Sequence, residues 1–547
     1  MLKVTPLGGV GEIGLNCLIV ETEDIAVVVD AGLMFPDEQM PGIDIVIPDF
    51  SYVGEIKDKL KALVLTHGHE DHIGAVPFFI KNFKVPIYST SFSAALLNNK
   101  FIEHGIEDVN QHIVAPGDVL EFSSLKIEFI QVVHSISDCV ALAITSDDGI
   151  IVHSGDFKID TLSGPDAMTD LASFARYGTR GVTLFLSDST NAEKEGYSLS
   201  ESIIAKKLEE FFLPMKGRLF IAVFASNIPR IKNIFRLAKK YNCKVFLDGK
   251  SMVTNVTIAS ELGFLDIPPD ILLTERQLQT HPEEKTVILT TGTQGEAMSA
   301  LTRMSHNSHR LFKIKEGDTV ILSSRYIPGN ERAIHGLINR LLRLGARVFY
   351  EDISELHTSG HAKREELRTL LQLVRPRYFM PIHGEFRHLV KHRELALDLG
   401  ISPERVLLLQ DGDSVSFKRG SFLGISKVKH GRVLVDGKGV GDVEEMVLRD
   451  RRRLSTEGII IVLLVIEADS RKVVYGPDII SRGVVLESSA IDIMDQAKIA
   501  TTDAVNELLT DEFDMDFLAE ELTRRLRRIF ILHLERRPLI MPIIIPI

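Results

Sequence analysis

Three histidines and an aspartate able to bind a metal ion stand within the run Thr66-His67-Gly68-His69-Glu70-Asp71-His72. The apolar residues just before it, 62–66 (ALVLT), read as a buried strand. A turn leaving a strand for a helix can converge His67, His69, Asp71 and His72 on one point. Neutral imidazole with ionised carboxylate suits zinc or manganese. A polar surface loop accounts well for a lone histidine and poorly for this cluster. One ion takes about three or four ligands. Two ions about 3.5–4 Å apart take more, commonly with a carboxylate between them. The chain offers further candidates at other strand ends: His134 in VVHSISDC, Asp156 in IIVHSGDFKID and His383 in FMPIHG. Each alone reads equally well as a structural or turn residue, but the repeated placement beside HxHxDH makes coincidence a poor explanation.

These residues need a scaffold. The first part of the chain alternates short β-rich runs with turns, at 26–30 (AVVVD), 126–133 (KIEFIQVV), 150–153 (IIVH) and 183–187 (TLFLS). From about residue 198 helices and strands alternate. Helices are expected at 200–212, with Ser198 or Ser200 as N-cap, at 229–241, and at 330–344 closed by Gly345. Strands are expected at 219–224, 244–247, 287–291, 319–323 and 347–350, a pattern for a parallel α/β domain. Residues 366–382 return to a helix and a strand. Beyond Asp436, DGKGVGD and RDRRRLSTEG read as a linker or turn region. A last segment follows, with a strand near 459–467, helices near 492–510 and 516–531, and the tail PLIMPIIIPI as a buried final strand.

A chain of 547 residues is too long for one ordinary domain. Its make-up, 45% hydrophobic and 25% charged, is that of a globular protein with ample material for cores. Cys17, Cys139 and Cys243 show no CxxC spacing, which argues against a disulfide framework or thiolate zinc site and for a reducing cytoplasm. The N-terminus lacks the basic and apolar regions of a secretory leader, and no stretch reaches the roughly 20 apolar residues of a membrane span. The net charge of −12 counts mildly against a nucleic-acid partner, although a local patch can override the sum. The basic runs at 449–453 and 524–528 read best as solvated faces.

HGHEDH, then a histidine, an aspartate and a distant histidine, resembles the five-motif signature of the metallo-β-lactamase superfamily. His383 lies more than two hundred residues beyond Asp156, and a helix–strand block filling that gap resembles the β-CASP nucleases. SDSTN (187–191) carries the acidic Asp188, and HTSGHA (357–362) matches their HxSGH element. Within that group the chain is similar to the ribonuclease J family, through GGVGEIGLN, DAGLMFP, PGIDIVIPD, FASNIPR, TGTQGE, PGNE, SGHA and PIHGE in the family's order. The likeness covers essentially the whole chain. Leu15 stands where relatives often carry lysine, and Ser137 where proline is usual.

The resemblance implies an α/β fold: a metallo-β-lactamase αββα sandwich, an inserted β-CASP α/β domain and a small α+β C-terminal domain. The expected divisions are 1–195 and 350–440 for the sandwich, 196–349 for the insertion, 441–449 as linker, and 450–547 for a C-terminal oligomerisation domain. It implies two Zn2+, with Mn2+ or Mg2+ as alternatives. His67, His69 and His134 would hold one ion, Asp71, His72 and His383 the other, and Asp156 would bridge them. Asp71 is then the carboxylate to hold and deprotonate a water, His361 the group to stabilise the phosphate or protonate the leaving oxygen, and Asp188 the acceptor that orients a metal-bound histidine. A terminal phosphate would sit against the helix start Ser226-Asn227-Ile228 and the loop His357-Thr358-Ser359-Gly360-His361. Helix capping is the ordinary reading for the first of these. Gly42, Asp44 and Asp436 match a structural Ca2+ site of some relatives. The expected activity is a metal-dependent 5′-to-3′ exoribonuclease, with endonuclease action, in RNA maturation and decay in the cytoplasm. Its partners would be single-stranded RNA, copies of itself in a homodimer or homotetramer, a paralogous subunit and other RNA-decay proteins, with no membrane. The alternatives are a thioesterase or lactamase, a DNA-processing β-CASP nuclease and a non-catalytic RNA-binding subunit. The long insertion and HTSGH argue against the first, and retention of all seven ligand positions against the last.

Overall fold

A computed structural model describes the chain except residues 38, 161, 163–167, 214, 297, 325–329, 352–355, 444, 468, 469, 471, 485–490 and 510–513. Pro328 and Gly329 of PGNE and the expected helix end at Thr510 lie outside the described residues. Contacts divide the chain into two units, one of residues 1–35 and 46–433, the other of 36–45 and 434–547.

The first unit is built on two face-to-face sheets. The larger has the strand order Ser421–Lys427, Asp413–Lys418, Leu2–Gly8, Cys17–Glu21, Ala26–Val29, Leu60–Val64, Ile87–Ser89, Gln111–Ile113. The smaller has the order Tyr378–Ile382, Leu184–Asp188, Gly149–His153, Cys139–Ser146, Lys126–Val132, Val119–Glu121. Val4, Val20, Val27 and Val64 of one meet Phe129, Leu142, Leu184 and Met380 of the other in a single core. Each fully buried side chain of this kind contributes roughly 1.5–3 kcal/mol relative to exposure. Helices Leu171–Arg180, Arg364–Val374 and Phe386–Asp398 bring Phe174, Leu367, Leu370 and Leu395 into a second core with Phe185 and Phe379. With both faces covered, Ala26–Val29 and Leu184–Asp188 are buried at every position and read as continuous rather than alternating apolar runs.

Strand direction is what gathers the chemistry. Gly149–His153, Leu184–Asp188 and Tyr378–Ile382 are parallel neighbours, with His153 opposite Leu186 and Asp188 opposite Ile382. Their C-terminal ends therefore deliver Asp156, Asp188 and His383 to one edge. In the facing sheet, Ala26–Val29 and Leu60–Val64 are also parallel, with Val29 opposite Val64. Asp30 and the His67 turn leave the sheet side by side.

Residues between Leu184–Asp188 and Tyr378–Ile382 form a five-stranded parallel sheet of order Lys244–Leu247, Thr286–Thr290, Leu219–Ala222, Thr319–Leu322, Arg347–Phe349. The period-two alternation of its strands feeds two cores. Leu219, Ile221 and Leu289 pack with Ile231, Phe235 and Val256 on one side. Phe220, Ile288 and Val320 pack with Met304, Ile334 and Leu341 on the other. The expected helices 200–212, 229–241 and 330–344 are present as Glu201–Glu209, Ile228–Lys240 and Glu331–Arg343. Ser200 caps the first through a bond from Ser202 N.

The second unit carries a three-stranded sheet, Lys472–Arg482, Ile459–Glu467, Leu539–Pro546, backed by helices Ile491–Leu508 and Met515–Leu534. Three expectations are corrected here. The linker at 441–449 is helical from Glu445, within a helix Glu445–Glu457 that includes the RDRRR run. Its arginines are also not all on a solvated face: Arg449 is exposed, but Arg453 is half-buried and donates to the carbonyls of Arg537 and Pro538 at 3.0 and 3.2 Å. The tail is a strand, parallel to Ile459–Glu467, but at the sheet edge and half-buried. Ile460, Val462 and Ile540 face the helices, while Met541, Ile543 and Ile545 are exposed on the opposite face.

Arg230 is wholly buried. Its Nε and Nη2 donate to both oxygens of Glu201 at 2.7 and 2.8 Å, and its Nη1 donates to Leu356 O at 3.0 Å and to the Ser323 hydroxyl. Replacing Arg230 by Met leaves Glu201 buried without its partner. The expected loss is about 3–5 kcal/mol, read as a lowered denaturant midpoint. Arg230→Met combined with Glu201→Met should recover much of it.

Candidate metal centre

The turn after Leu60–Val64 is held from beneath by Asp30. This side chain accepts from Thr66 N and Thr66 Oγ1, both at 2.8 Å, and lies 2.8 Å from His72 Nδ1. Asp30 itself takes a left-handed backbone, φ +61°, which turns the chain so that Ala31 N can donate to His72 O. His383 is the other left-handed residue at the site, φ +51°, pinned by His383 N→Gly9 O and Ser189 N→His383 O. Such conformations cost of order 1–3 kcal/mol and persist where the surroundings impose them.

All seven residues named from the sequence lie together. His67, His69 and His134 form one group of converging ligand atoms, and Asp71, His72, Asp156 and His383 another. Asp156 Oδ2 is the common point, at 3.3 Å from His72 Nε2, 3.4 Å from His383 Nε2, and 3.7 Å from Nε2 of both His67 and His134. In the first group, His69 Nδ1 lies 3.1 Å from both His67 Nε2 and His134 Nε2. Burial pushes His67 and His134 well below the usual imidazole range, and His69 down to about 4. Three neutral rings thus crowd their lone pairs onto one spot, an arrangement a divalent cation relieves. In the second group burial acts against charge, but Asp156, Asp71 and Asp30 outweigh it and push His72 up to about 10. For Asp71, burial is outweighed by His72 and His383, which hold its carboxyl well below the usual range. This group demands positive charge. Both donor sets fit divalent metals.

Asp188 is buried, and its Oδ2 lies 2.8 Å from His361 Nδ1. It stands farther from His383 Nδ1, 3.6 Å, whose partner is Thr190 Oγ1 at 2.7 Å. Asp188 therefore serves His361 first. Burial lowers the His361 pKa, but Asp188 beside it outweighs burial and raises it. Of the HTSGH loop, Thr358 turns inward and donates to Leu199 O at 2.6 Å. Gly360 O lies 2.8 Å from His134 Nδ1. Ser359 Oγ accepts from Asn191 Nδ2 at 2.9 Å and from His361 N at 3.2 Å. Its lone pairs are engaged, so its O–H is set to donate.

The helix start at Ser226 differs from expectation. Asn227 N donates to Phe224 O and Ile228 N to Ser226 O. The Asn227 side chain caps the helix through Arg230 N, and the Ile228 side chain is core. The Asn227 and Ile228 N–H groups are thus engaged within the turn, and the Asn227 side chain acts as the cap. Ser226 Oγ lies 3.3 Å from His69 Nε2. Gly42 and Asp436, two of the residues matched to a calcium site of relatives, share a neighbour in Arg451. Arg451 stands among the proposed ligands, donating to Gly42 O at 3.2 Å and to Asp436 Oδ2 at 2.5 Å, while Asp44 Oδ2 accepts from Gly437 N at 2.7 Å. A guanidinium already supplies the positive charge there.

Sequence reasoning did not single out Asp30, Thr190 or Asn191. Asp30 was detectable, since it closes an apolar strand as Asp188 does. The other two lie in SDSTN and support the site only through the folded loop.

Two layered sheets with outer helices, a histidine–aspartate cluster at the strand ends and a parallel α/β insertion define a metallo-β-lactamase fold carrying a β-CASP domain. The family descriptions that match agree: Metallo-beta-lactamase superfamily over residues 10–192, Ribonuclease J, beta-CASP domain over 216–341, Zn-dependent metallo-hydrolase RNA specificity domain over 346–406, and Ribonuclease J C-terminal domain over 446–547. Ribonuclease J of Helicobacter pylori (strain ATCC 700392 / 26695) is 38% identical over 88% of this chain and 70% of its own length. Ribonuclease J 2 of Staphylococcus aureus (strain NCTC 8325 / PS 47) is 35% identical over 99% of this chain and 98% of its own. The chain belongs to the ribonuclease J family. A crystal structure of a protein of unknown function from Enterococcus faecalis V583 shares the fold, with TM-score 0.54 and 16% identity over 76% of this chain and 99% of that one.

Asp30→Asn should weaken divalent-ion binding about 10- to 100-fold through loss of the acceptor that fixes His72, measured by titration of the metal-free protein.

Proposed function

We propose that this member of the family is a two-metal ribonuclease that degrades RNA from a 5′-monophosphate end, with internal cleavage as a second mode. The observation that carries the reading is the juxtaposition of the Asp156-centred cluster with two outward donors, Ser359 Oγ–H and the His361 ring, on one loop. His67, His69 and His134 would hold one ion, Asp71, His72 and His383 the other, with Asp156 shared. Divalent ions there would neutralise phosphodiester charge and acidify a water. Asp71, whose side chain is 29% exposed, is the cluster carboxylate that solvent reaches, and it would hold that water and take its proton. His361, whose charged form Asp188 favours, donates to the phosphate or to the leaving oxygen. A terminal monophosphate carries more charge than an internal diester and takes stronger hydrogen bonds from Ser359 and His361. The single-stranded RNA substrate, zinc as the native ion and cytoplasmic action belong to the same reading. No helix among the described residues is long and apolar enough to cross a membrane.

The domain division proposed is 1–195 with 350–440 for the sandwich, 196–349 for the insertion and 450–547 for self-association, now without a linker at 445–449. The exposed apolar sheet face around Met541, Ile543 and Ile545 supports homo-oligomers built through the last of these.

Purified protein should hold close to two divalent ions per chain, and His69→Ala or Asp71→Ala should abolish hydrolysis with the fold intact by circular dichroism. Full activity after exhaustive chelation would refute the reading. Ser359→Ala should lower turnover of 5′-monophosphate RNA roughly 10- to 100-fold, the weight of one hydrogen bond to a charged group, and spare internal cleavage more. The assay compares one RNA with a 5′-monophosphate, triphosphate or hydroxyl; indifference to the 5′ group removes the pocket. Truncation near Val447 should reduce self-association in sedimentation while leaving metal content unchanged.

A further inference from the structure

Each of the five cluster histidines turns one ring nitrogen toward the proposed ions and places the other on a neighbour, and the neighbours fall into two classes. His67, His72 and His383 rest on Thr66, Asp30 and Thr190, residues at strand ends of the two-sheet sandwich. His69 and His134 do not. His69 Nε2 lies 3.3 Å from Ser226 Oγ, which follows strand Leu219–Ala222 of the inserted parallel sheet. His134 Nδ1 lies 2.8 Å from Gly360 O, in the loop by which the chain returns from the insertion. A carbonyl only accepts, so His134 carries its proton on Nδ1 and its lone pair on Nε2, facing His69. The fit is close: a Cβ on Gly360 would stand 2.5 Å from the His134 ring. Ser226 is equally fixed, because its own carbonyl accepts from Ile228 N and the Asn227 cap locks the turn behind it.

Both supports, Ser226 within the insertion and Gly360 in the loop just after it, serve the same trio, His67, His69 and His134. Resting on the metal reading above, we infer that this ion position is completed by the inserted domain, with Ser226 the positioning residue for His69, whereas the Asp71, His72, Asp156 and His383 position is built by the sandwich alone. A hydroxyl at His69 Nε2 accepts its proton, selects the tautomer with the Nδ1 lone pair free, and stops rotation of the ring. Docking of the inserted domain and affinity for one of the two ions are thereby linked.

The test uses the full-length metal-free chain titrated with Zn2+ against a chromophoric chelator. Wild type should bind two ions. Ser226→Ala should weaken one of them about tenfold or more, leave the other within about twofold, and leave the melting temperature unchanged. Ser226→Thr, which keeps the hydroxyl, should restore the lost affinity, and Asp30→Asn should weaken the opposite ion. In the Co2+-substituted protein, Ser226→Ala should alter the absorption of a single ion. Unchanged affinity for both ions in Ser226→Ala, or an equal loss for both, would overturn the inference while leaving the two-metal reading standing. Fewer than two ions in wild type would overturn that reading itself, and this inference with it.

Discussion

A buried carboxylate cannot stay charged without compensation, and the molecule is arranged around one. Asp156 is almost fully buried, and its Oδ2 sits within 3.3–3.7 Å of four imidazoles from three separate stretches of chain. An ionised carboxylate in such a place persists only where positive charge surrounds it. Parallel strands supply the geometry, because their C-terminal ends leave a sheet on one side. The strained turns at Asp30 and His383 are the local cost of bringing side chains from two facing sheets to the same oxygen.

The insertion then has a physical meaning beyond extra bulk. It enters after Asp188 and returns before His383, so both of its connections open at the cluster. The buried Arg230 couples its first helix to Leu356, where the HTSGH loop begins. Support for the loop runs in both directions. Asn191 and Asp188 hold Ser359 and His361 from the sandwich, and Gly360 in turn holds His134.

Much of this was legible in the sequence because it obeyed local rules. Apolar runs ended by His134, Asp156 or His383 announce strand ends, and HxHxDH packs four candidate ligands into a single turn. The alternating helices and strands of the insertion matched the observed elements to within a few residues at their ends. What was not legible depends on approach through space. Nothing in residue 226 points to residue 69, and the helix start at Ser226 looked like an anion site because free backbone N–H groups are the default there; only the folded turn shows them spent on Phe224 and Ser226. The run at 449–453 looked like a linker because it is charged nearly all round. Leu448 is its one buried side chain, and the helix is held by arginine contacts to backbone carbonyls that no periodicity records. The tail's apolar character promised burial on both faces, but edge position leaves one face open.

Arg451, bridging Gly42 O and Asp436, makes the local charge balance part of the polypeptide. A counter-ion on a covalent tether cannot be diluted away or stripped by a chelator. The charge balance of that corner therefore travels with the fold, whichever divalent ions the surroundings hold.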